Sequence, residues 1–116
     1  MDKQVLSIEQ MQELEKLGID TTKASMCWNT YDSFLIANNS DLKNAFNYSD
    51  DDWVPTFTLQ DILEMLPKMI HNEFLELIIS VEYYICRYKN VCNLGGDNPL
   101  EAAFNMLIWC KQNNYI

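Results

Sequence analysis

Four cysteines, one histidine and a crowd of carboxylates are the residues of this chain whose types could do chemistry. A metal centre needs them to converge, usually through C-x-x-C or H-x-x-x-H spacing. Cys86 and Cys92 have five residues between them and His71 has no second histidine, so the spacing predicts no metal site. A nucleophilic pair would have His71 activate Cys86, Cys92 or Cys27. No nucleophile elbow or oxyanion-hole motif accompanies such a pair. Cys27 precedes Trp28 and Cys110 follows Trp109, so all four are read as reduced thiols, most of them filling core space. Asp50, Asp51 and Asp52 are consecutive, whereas a calcium loop alternates its carboxylates and adds a glycine and a distal glutamate. The triplet reads as a solvated acidic loop. Gly95-Gly96 lacks the frame of a phosphate-binding loop and reads as a turn. Glu76 and Glu82 could serve a small hydrolase, but on one continuous strand they stand roughly 20 Å apart. They approach only if the chain folds back between them. Tyr83, Tyr84 and Tyr88, beside Arg87 and Lys89, could stack on bases as sheet-based single-strand binders do. The expectation is therefore no catalytic, cofactor-binding or metal residue, and no enzyme.

Charge bears on the partners. Asp and Glu number 17 against 8 Lys and Arg, a formal net charge of -9 that repels phosphate backbones and anionic membranes. The basic residues are spread from Lys3 to Lys111 without clustering. Direct binding to nucleic acid or membrane is not expected. Met1-Asp2-Lys3-Gln4 opens no secretory pattern, and the longest apolar stretch, 75–85, is interrupted by Glu76 and Glu82. A cytoplasmic protein is expected. With 116 residues and a hydrophobic share of 48%, the chain has material for one core, hence one domain over 1–116.

The elements that must position these residues follow from caps and periodicity. Ser7-Ile8-Glu9-Gln10 is a capping-box pattern with Leu6 placed to staple onto Met11. Met11, Leu14 and Leu17 repeat at helical spacing, and Gly18 ends the helix. Residues 24–31 and 34–37 read as strands around an Asp32-Ser33 turn, and Asn38-Asn39-Ser40-Asp41 as a break. Residues 42–46 carry a faint helical pattern before the acidic loop at 49–52. Thr58 opens a second helix that Pro67 stops, and His71-Asn72-Glu73 forms a turn. Residues 74–88 alternate apolar and polar positions and read as two antiparallel strands reversing near 81–83, with one long strand as the rival. Residues 90–97 read as a loop. Asn98, Pro99 and Glu101 open a last helix whose apolar face runs through Leu100, Ala103, Phe104, Leu107 and Ile108, widened by Trp109. The expected architecture is α+β: about three helices packed on a small antiparallel sheet, a single layer pair.

Three stretches together carry a resemblance: Lys3-Gln4-Val5-Leu6-Ser7-Ile8-Glu9-Gln10-Met11, Val54-Pro55-Thr56-Phe57-Thr58-Leu59-Gln60-Asp61-Ile62-Leu63 with Leu66-Pro67-Lys68, and Asn98-Pro99-Leu100-Glu101-Ala102-Ala103. They resemble small acidic proteins of unassigned function found in phages, prophages and mobile elements of gut anaerobic bacteria. The resemblance implies an accessory protein inside a bacterial host and no catalytic residues. The expected function is a non-catalytic protein–protein interaction module, its partner surface drawn from Tyr83, Tyr84, Tyr88, Trp109, Asp50, Asp51 and Asp52. One alternative is an acidic DNA mimic inhibiting a host nucleic-acid enzyme, which requires the acids to form one stripe. The small hydrolase is the other. An aromatic edge strand or the broad last helix could also form a homodimer.

Overall fold

The capping box at Ser7 forms: its hydroxyl accepts from the Gln10 amide at 3.1 Å, and the Gln10 side chain accepts from the Ser7 amide at 2.9 Å. In the computed structural model, which describes residues 5–22, 24–29, 34–37 and 53–116 with backbone alone at 29, 34–37 and 53, this cap starts helix α1 (Ile8–Lys16). Met11 and Leu14 are its buried stripe. Gly18 ends it in the left-handed region, φ 89°. The expected turns at 32–33 and 38–41, the helical piece at 42–46 and the acidic loop at 49–52 lie outside the described residues.

Contacts gather the chain into two compact units, Met1–Thr58 and Leu59–Ile116. The first holds α1 and a three-stranded antiparallel sheet of β1 (Met26–Asn29), β2 (Phe34–Ala37) and β3 (Trp53–Thr56), ordered β2-β1-β3. β1 and β2 pair Trp28 with Leu35, as the alternation anticipates. β3 has no counterpart in the sequence reading, and its Pro55 is a residue that a central strand excludes. Its edge position resolves this, since an edge strand has one side that needs no donor. The segment before α1 is tied down through Leu6. Its amide donates to Phe57 O at 3.1 Å, and its carbonyl accepts from Trp28 Nε1 at 2.9 Å and from Thr56 Oγ1 at 2.6 Å. Thr56 is fully buried, and this bond satisfies its hydroxyl.

The second unit holds α2 (Leu59–Met65), β4 (Met69–Ile70), β5 (Glu73–Ile79), β6 (Tyr84–Tyr88), β7 (Cys92–Gly96) and α3 (Pro99–Gln112). The four strands form one antiparallel sheet in sequence order. β4 and β5 close around His71 and Asn72, both left-handed at φ 50° and 68°, the pairing typical of a two-residue hairpin turn. β5 and β6 reverse through 80–83, where the Ser80 amide donates to Tyr83 O at 2.9 Å, so the folded-back reading of 74–88 is the one realised. The expected loop at 90–97 is corrected: 92–96 is β7, paired along its length with β6. Gly96 is glycine because a Cβ there would meet the Ala102 backbone nitrogen at 2.5 Å, where β7 meets the start of α3. Asn98 caps α3 by accepting from the Glu101 amide at 2.9 Å, while the Glu101 carboxylate accepts from Asp97 N rather than completing the box on Asn98. α3 packs on β5, β6 and β7 and against α2, burying Leu100, Ala103, Phe104, Met106, Leu107 and Cys110. The molecule is thus α+β, with three helices among the described residues and its strands shared between two antiparallel sheets rather than one.

Candidate functional site

Cys27 is buried on β1 of the first unit; the other cysteines, His71 and the aromatic residues singled out above fall into three places in the second unit. The first is a buried thiol–phenol cluster. Cys86 and Tyr88, two apart on β6, share the face that α3 covers, and Cys92 stands opposite Tyr88 on β7. Burial pushes the Cys86 thiol up to about 12, and the neighbouring Cys110 and Cys92 thiols add to the shift. Cys110 is raised to about 11, again chiefly by burial, against a hydrogen bond with Tyr88 that pulls the other way. Tyr88 and Cys92 are shifted up by burial as well. These thiols are held protonated, which makes them poor nucleophiles and poor metal ligands. Among the described residues no group of three or more His, Cys, Asp or Glu is placed to hold a metal ion.

The second place is the β4–β5 turn. His71 Nε2 lies 2.9 Å from the Tyr115 hydroxyl, and Tyr115 stacks on Trp109 with ring centroids 5.4 Å apart. The Cys–His pair weighed from the sequence is not assembled with Cys86, which is fully buried while His71 is exposed. The folding back of 74–88 does not unite Glu76 and Glu82 either. Glu76 faces Arg87 across the strands, Oε1 to Nε 3.1 Å, and Glu82 sits in the reversal, beyond the three-residue run from Glu76 to Ile79, about 10 Å of strand.

The third place is the β5–β6 hairpin tip. Val81 is fully exposed, Ile79 is 64% exposed and Tyr83 49%. Behind it, on β5, Phe74 is 65% exposed and lines a groove of about 390 Å³ with Leu63, Lys68, Leu75 and Leu77. The expected partner residues are therefore dispersed. Tyr83 is exposed at the tip and Tyr84 is half-buried beside it. Trp109 lies with the His71 turn, at the other end of β5, about 20 Å of strand away. Tyr88 is corrected outright: it is fully buried and its hydroxyl donates to Pro67 O at 2.6 Å, so it offers no surface. Asp50, Asp51 and Asp52 lie outside the described residues. The sequence reading missed Ile79, Val81 and Phe74. Apolar alternation marks these positions for a strand, and nothing local says that their side chains stay in water.

No helix among the described residues is long and apolar enough to cross a membrane. Comparison with protein-family models, with curated proteins and with solved structures finds no match to the chain.

Proposed function

We propose that the chain is a small non-catalytic accessory protein that acts by binding another protein in the bacterial cytoplasm, in the phage or mobile-element setting that the resemblance implies. One observation carries this reading. Of seven large apolar residues left exposed among the described residues, five (Met69, Phe74, Ile79, Val81 and Tyr83) lie on the single run from β4 to the start of β6. Scattered exposed apolar side chains are ordinary, but five of the seven falling within the two successive hairpins β4–β5 and β5–β6 favour a contact surface there. The protonated thiols and the Arg87-engaged Glu76 favour binding over catalysis. A net charge of -9 selects for a partner with cationic groups around its own apolar site.

The test is affinity capture from bacterial lysate at moderate salt, comparing the native chain with an Ile79→Ser/Val81→Ser double variant. Both side chains are solvent-exposed, so the variant should keep its circular dichroism spectrum. One saturable partner should be held by the native chain and bound about tenfold or more weakly by the variant, the worth of two apolar anchors. Recovery of no partner, or of one indifferent to both changes, defeats the reading.

A further inference from the structure

The β4–β5 hairpin pairs Ile70 with Glu73 around a two-residue turn, and the Leu75 amide donates to Lys68 O at 3.0 Å. In that register the next partner of Leu77 would be Leu66. It is not available. The Leu66 amide closes the last turn of α2 on Ile62 O at 3.0 Å, Pro67 has no amide, and the Pro67 carbonyl is held by the Tyr88 hydroxyl at 2.6 Å. β4 is cut short where the Leu66 amide is spent in α2, while β5 continues four to five residues further to Ile79.

The side of β5 on which those residues are open follows from the alternation. Ser80 bonds Tyr83, so 78 and 76 bond across to β6, and the amides and carbonyls of Leu77 and Ile79 point the other way. Among the described residues no strand pairs with them there. The groove formed by Leu63, Lys68, Phe74, Leu75 and Leu77 lies beside this open edge, which leads on to the exposed Ile79, Val81 and Tyr83.

We propose that the edge of β5 at Leu77 and Ile79 accepts an extended segment of a partner protein as an added strand, with an apolar side chain of that segment in the Leu63–Leu75–Leu77 groove and basic residues flanking it. This rests on the protein-binding reading and specifies how binding occurs. Backbone groups supply the pairing and the groove supplies side-chain selection, as in other strand additions. Charge selects the occupant. The bordering elements carry Asp61, Glu64, Glu73, Glu76 and Glu82 against Lys68 and the Glu76-engaged Arg87. A second copy of the chain, itself at -9, would bring the same acids to the contact.

The experiment selects binders of the full chain from a displayed library of random twelve-residue peptides. The enriched peptides are then measured by fluorescence anisotropy against the native chain, Leu77→Pro and Phe74→Ala. Enriched sequences should alternate apolar residues and carry Lys or Arg. Leu77→Pro removes an outward-facing donor together with one side chain of the groove and should weaken binding about tenfold or more with the spectrum of the fold retained. Phe74→Ala should weaken it several-fold. Because a proline variant could fail to fold, N-methylation of the peptide backbone gives an independent reading. Methyl groups at alternate residues should abolish binding, and at the intervening residues leave it intact. Lack of enrichment, indifference to N-methylation, or a dimer in sedimentation whose Leu77 and Ile79 amides are protected from exchange overturns the strand addition. A lysate partner lost on Ile79→Ser/Val81→Ser but unmoved by Leu77→Pro would overturn the strand addition alone and leave the protein-binding reading standing.

Discussion

Thiols in this chain differ by burial, and that difference is measurable residue by residue. Cys27, Cys86 and Cys110 are buried, whereas Cys92 is partly exposed on the edge strand β7. Modification requires thiolate and access together, and Cys86 and Cys110, pushed up to about 12 and about 11, have neither near pH 8. Iodoacetamide applied to the native chain should therefore label Cys92 first, with the other three reacting only after denaturation, as peptide mass spectrometry would read. Fast native labelling at Cys86 or Cys110 would contradict the cluster described for the second unit. The same packing gives Tyr88 its role. A phenol expected on a surface instead becomes a core post whose hydroxyl holds Pro67 in place.

Between elements, the junction of β7 and α3 is the place where a single atom decides the geometry. A Cβ on Gly96 would press on the Ala102 nitrogen at 2.5 Å and on Glu101 backbone carbon at 2.9 Å, while one on Gly95 would meet Tyr84 O at 3.4 Å, an ordinary contact. Gly96→Ala should cost about 1–3 kcal/mol in urea unfolding, and Gly95→Ala much less. Equal losses would refute the close approach. This junction also marks how far elements were legible in advance. The caps at Ser7 and Asn98, the stop at Pro67 and the paired strands within 74–88 were readable, because each rests on neighbours in sequence. β7 was not, since paired glycines signal a turn unless a helix lying against them requires their bareness. β3 was hidden by Pro55, and β4 by being two residues long.

Over the whole molecule the ruling quantity is charge. If the chain binds the cationic partner proposed above, its charge of -9 acts at long range, so association should slow with salt while dissociation changes little. The screening length falls from about 10 Å at 0.1 M to about 3 Å at 1 M. Surface-plasmon measurements on the captured partner should show the on-rate dropping about tenfold or more over that range. An on-rate indifferent to salt would mean that the apolar hairpin works without electrostatic steering. Composition, charge sign, the three helices and the α+β class were determined by the order of residues, because those properties depend on counts or on contacts a few positions apart. The division of strands between two sheets, the burial of Tyr88 and the open edge of β5 were decided only by tertiary structure. Each depends on contacts between residues far apart in sequence: Tyr88 reaches Pro67 twenty-one residues back, and Leu66, which the hairpin register would set against Leu77, is spent in its helix, so β5 is left with an unpaired side.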